Sequence, residues 1–167
     1  TYDADTDLFL AQGLSLQILV APGAALPIVD GGFQIAILTD GTSASGTGGD
    51  DLIITGALDF DADGNPDIAG VLLAGEIAEF GASSTGPGVF EFVFNLTGGA
   101  LFGPIFNLPQ AGVILGADGG STYTGSFDVS FSNLTAGQGS GTGSADTAPV
   151  PEPGTLLLLG SGIAGLV

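Results

Sequence analysis

Glycine and proline interrupt this chain so often that it has almost no room for a helix. Before residue 149 no segment keeps an apolar helical period for three turns, because Gly or Pro breaks nearly every candidate. What remains is a series of short apolar runs between clusters of Gly, Ser, Thr, Asp and Pro, the pattern of many strands joined by turns. Phe90, Phe92, Phe94 and Leu96 alternate with Glu91, Val93 and Asn95, while Tyr123, Gly125, Phe127, Val129 and Phe131 alternate with Thr124, Ser126, Asp128 and Ser130. Each is a period-two pattern with one buried face. Less cleanly patterned β-rich runs cover 14–20, 33–38, 52–60, 68–80, 101–108 and 111–115. The run 68–80 is ambiguous: its Ala, Leu and Glu content suits a helix, whereas Gly70, Gly75 and the acidic turn before it favour a long strand. About eight such strands predict an all-β fold, an antiparallel β-sandwich of the jelly-roll-like kind.

The sandwich body is expected over 1–135, a Gly/Ser-rich linker over 136–148 and an apolar tail over 149–167. Residues 40–49 and 81–88 read as flexible loops. An apolar share of 44% with eleven Phe is enough for a core and argues against a disordered acidic chain.

Absent residue types restrict the chemistry. The chain has no Lys, Arg, His, Cys, Met or Trp, and eighteen Asp and Glu give it a formal net charge of −18. No side chain can form a salt bridge within it, so its like charges must be spaced apart, screened by salt or neutralised by metal ions. Nucleic acid is excluded as a partner, since phosphate binding depends on Lys and Arg. Without His, Lys, Arg or Cys there is no Ser–His or Cys–His nucleophile pair and no cationic clamp. Carboxylate chemistry alone remains, and the Glu residues are Glu76, Glu79, Glu91 and Glu152. Glu76 and Glu79 are three apart and would face opposite sides of a strand. The expectation is a protein that is not an enzyme.

The tail begins Pro149-Val150-Pro151-Glu152-Pro153-Gly154-Thr155 and continues as an apolar run from Leu156 to Val167. It resembles the C-terminal sorting signal of PEP-CTERM proteins, with Val150, Pro151, Glu152 and Pro153 as the motif. The resemblance implies export to the cell surface or extracellular space, with an exosortase of the inner membrane as processing partner. In that family the motif is followed by a transmembrane helix and a basic cluster. Residues 155–167 are thirteen, against roughly 20 needed to cross a bilayer, and no basic cluster or N-terminal leader is present. The expectation is a processed or truncated piece of a longer precursor. Length alone would favour an ordinary apolar strand or core helix.

The run Asp59-Phe60-Asp61-Ala62-Asp63-Gly64-Asn65-Pro66-Asp67-Ile68-Ala69-Gly70 places carboxylates at positions 1, 3, 5 and 9 around a Gly at 6. Ca²⁺ takes six to eight oxygens at flexible distances, and alternate acidic residues in a tight loop can aim them at one centre. The run resembles the calcium loop of FG-GAP and related acidic-hairpin repeats. By that resemblance Asp59, Asp61, Asp63 and Asp67 are side-chain ligands, Asn65 offers its backbone carbonyl, and Ca²⁺ is the cofactor. An EF-hand would need Glu at the twelfth position, where Gly70 stands. The alternative is a polar hairpin turn, for which Asp, Gly and Asn are preferred residues.

Two weaker motifs carry less. Residues 45–52 partly resemble a calcium-binding nonapeptide repeat, but such sites form between stacked copies. Asn95-Leu96-Thr97 and Asn133-Leu134-Thr135 fit a glycosylation acceptor pattern, and each closes an expected strand where turn chemistry explains it. The function expected is that of an exported surface or extracellular-matrix structural protein, calcium-stabilised and self-assembling into a filament. Leu156, Leu157, Leu158, Leu159, Ile163, Leu166 and Val167, or an edge strand, would form the contact of a homo-oligomer or polymer. The alternative is a calcium-dependent adhesive module that binds extracellular polysaccharide.

Overall fold

The computed structural model describes residues 1–21, 24–84, 88–107, 109–117, 120–133 and 143–150, and among them there is no helix. Eleven strands form in chain order: β1 (Tyr2–Asp3), β2 (Leu8–Gly13), β3 (Gln17–Ala21), β4 (Ala24–Pro27), β5 (Val29–Thr39), β6 (Ala44–Gly46), β7 (Leu52–Leu58), β8 (Ile68–Ala82), β9 (Val89–Gly98), β10 (Gln110–Ala117) and β11 (Gly143–Val150). The main sheet is antiparallel with the order β1-β2-β5-β7-β8-β9-β10-β11, and β6 also pairs β5. Strands β3 and β4 make a separate two-stranded sheet. The expected all-β antiparallel architecture is present, and its neighbours follow one another along the chain as a meander.

The sheet curls to make its own core. Strands β2 and β9 lie four places apart in the sheet, about 19 Å if it were flat. Yet the ring of Phe9 on β2 sits 5.1 Å from that of Phe90 and 5.7 Å from that of Phe92, both on β9. Curling therefore brings the two inner faces together. The inward residues of β9, namely Phe90, Phe92, Phe94 and Leu96, are all buried, as their alternation predicts, while Glu91 and Asn95 face solvent. Ile35 and Ile37 of β5, Leu52, Ile54 and Leu58 of β7, and Ala111 and Val113 of β10 complete this layer.

The structure corrects several sequence expectations. The alternating segment 123–131 is not a strand: only Phe131 bridges to Tyr2, and Val129 is 59% exposed. Its buried residues, Tyr123, Phe127 and Phe131, recur every fourth position and pack as a coil of rings. The ring of Tyr123 lies 4.7 Å from that of Phe131, and Phe127 lies 4.8 Å from Tyr2. Aromatic contacts rather than ladder hydrogen bonds order this segment. Residues 101–107 form tight turns, with Phe106 N–H donating to the Leu101 carbonyl at 2.8 Å, so the strand expected there is also absent. The expected loop at 40–49 contains β6, and the linker expected over 136–148 overlaps β11, which pairs β10 from Ala117↔Gly143 to Gln110↔Val150. Backbone pairing with β10 overrides the low strand propensity of Gly-Ser-Ala-Asp. The ambiguous run 68–80 lies within one long strand, β8. Its Leu72, Leu73 and Ala74 are buried in succession because the pairing shifts register at Ala74/Gly75 and residues 100–101 lie along its edge through Ala100 N–H to Val71 O, 3.0 Å.

Tyr2 closes the core from β1. Its hydroxyl donates to Asp7 Oδ1 at 3.1 Å, and burial, with that hydrogen bond and nearby carboxylates, pushes its phenol up to about 12. Unfolded tyrosine ionises near 10, so the contribution of Tyr2 is intact below pH 10 and is lost as pH rises through about 12. No Lys, Arg or Cys titrates alongside it. Thermal melts should show stability falling over this alkaline window, and Tyr2→Phe should flatten the fall. In urea, Phe9→Ala should cost about 3–5 kcal/mol, whereas Val129→Ala should stay within about 0.5 kcal/mol.

Candidate metal centre

The acidic run forms the loop between β7 and β8. Leu58 pairs with Ile68 at its base, and Asp67 N–H donates to the Leu58 carbonyl at 2.8 Å. Inside, each carboxylate serves the backbone. Asp59 Oδ2 accepts from Gly64 N–H at 2.8 Å, Asp61 Oδ1 from Asp63 N–H at 3.2 Å, and Asp67 Oδ2 from Phe60 N–H at 2.6 Å. Gly64 has φ +90°, the left-handed conformation that favours glycine at a tight turn.

These bonds aim three of the four carboxylates at one point. One oxygen from each of Asp59, Asp61 and Asp67 lies within 4.8 Å of the others. Ligands on opposite sides of a Ca²⁺ ion at 2.4 Å would stand about 4.8 Å apart, so the three oxygens can share one ion. Among the described residues no other set of three acidic side chains converges this way. Asp63 is outside the set; its Oδ1 accepts from the backbone N–H of Asn65 at 2.7 Å and from its side-chain amide at 3.1 Å. Spacing alone did not show that local turn.

Asp59 is the centre of the arrangement. Its Oδ1 is buried without a hydrogen-bond partner. The Gly64 N–H chiefly, with Ala62 N–H, Asp61 and Asp63 N–H, holds its carboxyl below the usual range against the opposing effect of burial, so it is ionised at neutral pH. An ionised, bare, buried oxygen beside two further carboxylates is what a hard cation would satisfy, and this donor set of oxygens fits Ca²⁺. Phe60, 45% exposed, projects from the same loop.

Two other carboxyls meet without having been paired by their spacing. Asp51 is buried just before β7, and the carboxyl of Glu76 on β8 lies beside it. Their encounter follows from sheet register, which no local motif announces.

Of the sorting motif, Val150 ends β11, while Pro151, Glu152 and Pro153 lie outside the described residues. So do the expected assembly contacts Leu156, Leu157, Leu158, Leu159, Ile163, Leu166 and Val167. Among the described residues no helix is long and apolar enough to cross a membrane. No curated protein and no solved structure matches the chain. The family profile of the PEP-CTERM protein-sorting motif matches residues 149–167. The chain thus carries a signal for export to the cell surface or extracellular space, and that signal implies processing by an exosortase.

Proposed function

We propose that this chain is a non-catalytic structural component of the cell surface or extracellular matrix, its curled β body stiffened by Ca²⁺ at the loop between β7 and β8. One observation carries the reading: Asp59, Asp61 and Asp67 bring carboxylate oxygens within 4.8 Å of one another, in a chain that has no basic side chain to neutralise them. A bound cation would tie β7 to β8 at their turn and reduce the self-repulsion of a chain whose net charge is −18. Catalysis has no support in the residues available, since no imidazole, thiol, amine or guanidinium exists to act with the carboxylates.

Self-association into a filament would use a sheet edge or the apolar tail. Pro149 and Asp146 stand on the last strand, β11, and both residue types discourage pairing at an edge. A second reading, a calcium-dependent module that adheres to extracellular polysaccharide, is favoured by the exposed ring of Phe60 within the acidic loop, since apolar sugar faces stack on exposed aromatics.

Calcium titration followed by thermal melting separates these readings from a plain turn. Ca²⁺ at ten times its Kd should stabilise the body by about 1.4 kcal/mol, and excess chelator should reverse the gain. Asp59→Asn, Asp61→Asn and Asp67→Asn should each weaken the response, and Asp63→Asn should retain most of it. A melting curve unchanged by Ca²⁺ and chelator removes calcium from the account. Phe60→Ala should leave the calcium response intact, and lost retention on a polysaccharide matrix in that variant would select the adhesive reading.

A further inference from the structure

Strand β7 stops short of the height reached by β5 and β8, and a carboxylate takes its place there. β7 pairs β5 only as far as Ile35↔Leu52, and β6 takes over the same edge from Ile37↔Gly46 to Thr39↔Ala44. The chain crosses between them through 47–51. Asp51, 1% exposed, fills the gap. Its Oδ1 accepts from the Thr47 N–H at 2.7 Å and the Thr47 hydroxyl at 3.3 Å, and its Oδ2 accepts from the Ile77 N–H at 3.0 Å. One side chain thereby ties the end of β6 to β8, doing what a ladder carbonyl does elsewhere in the sheet.

Glu76 stands beside this tie. The register Leu52↔Gly75 continued by one residue sets Glu76 opposite Asp51, and their carboxyls lie side by side against Gly46. Gly46 leaves the room for both: a Cβ there would lie 2.7 Å from Asp51 Oδ2 and 3.2 Å from Glu76 Oε2. Two carboxyls can hydrogen-bond each other only when one of them keeps a proton.

We propose that Asp51 and Glu76 form a proton-operated clasp, which closes β6 and the turn after it onto β8 when Glu76 is protonated and loosens them when it is not. The proton moves from solvent to a Glu76 oxygen, which then donates to Asp51, while Asp51 keeps its bonds to Thr47 and Ile77.

The surroundings single out Glu76. Asp50 is the other charged group acting on it, and Asp50 Oδ1 accepts from the Thr97 hydroxyl at 2.5 Å. β6 brings no titratable side chain, and the facing residues Asn95 of β9 and Gln110 of β10 are neutral and bonded to each other at 3.0 Å. Glu79 lies farther along Glu76's own strand. Burial first, then the Asp51 charge, raise the Glu76 carboxyl above its ordinary 4.5. A raised carboxyl stabilises the fold below its unfolded value and loses that contribution as pH rises through the folded one. Asp40 behaves oppositely. The N–H groups of Thr42 and Ser43 lower it to about 2, so its contribution is present above 3.8 and is lost only as pH falls through about 2.

The test compares wild type with Glu76→Gln by thermal melting between neutral pH and the ordinary glutamate value of 4.5, in about 1 M salt, where fully exposed charges are screened more strongly than a partly buried pair. Wild type should melt higher on acidification. Glu76→Gln, whose amide donates to Asp51 at every pH, should melt higher than wild type at neutral pH and show no such gain. In unmodified protein, hydrogen-exchange protection of the Thr47 and Ile77 amides should rise severalfold over the same range relative to that of Phe94. Equal pH slopes in wild type and variant, or amide protection of Thr47 and Ile77 that does not change with pH, overturns the proposal.

Discussion

A chain without a basic side chain must solve every electrostatic problem with backbone N–H groups, hydroxyls, protons and ions from outside. That constraint shapes the turns. Asp40 accepts from Thr42 and Ser43, Asp63 from Asn65, and Asp67 from Phe60, each converting a negative charge into the organiser of a local bend. Such bonds favour the ionised form without needing a countercharge. Where these local donors run out, the geometry changes character: Asp59 keeps an oxygen bare, and Asp51 meets a second carboxyl. Both places leave a charge that a cation or a proton from solution would satisfy.

The core answers a different requirement. A single curled sheet has inner faces that must be filled from its own strands, and here phenylalanine fills them. Phe9 touches rings from β8, β9 and the coil before residue 133, at 6.4 Å from Phe80, 5.1 Å from Phe90 and 6.3 Å from Phe131. Large planar side chains reach across a curl that small aliphatic ones would leave hollow. The aromatic coil of Tyr123, Phe127 and Phe131 then closes the end of the curl, tied by the Tyr123 hydroxyl to the Ser83 carbonyl at 2.7 Å and by Phe131 to Tyr2.

Strand content was legible wherever one face is buried and the other wet, as in β9, because alternation is the direct imprint of that environment. It failed in two opposite ways. The segment 123–131 alternates in sequence but buries every fourth residue, since ring packing across the end of the curl replaces a partner strand. β11 carries no apolar alternation at all and is a strand because β10 offers it an unpaired edge. Similar physics divides the acidic loop. The number of Asp residues and the central Gly64 announced a tight acidic turn, yet the exclusion of Asp63 depends on which N–H each carboxylate takes. The meeting of Asp51 with Glu76 depends on register, which is a property of the assembled sheet.

The sheet and the sorting signal share residues. Pro149 and Val150 belong to the matched signal and also pair with Ala111 and Gln110 at the end of β11. A cleavage beyond Val150 would leave the outer rung of the sheet whole. One inside β11 would strip β10 of its neighbour and bare a row of free amides beside Ile114, which is 51% exposed. The exact bond severed would therefore decide whether the released body has a sealed margin or an adhesive one.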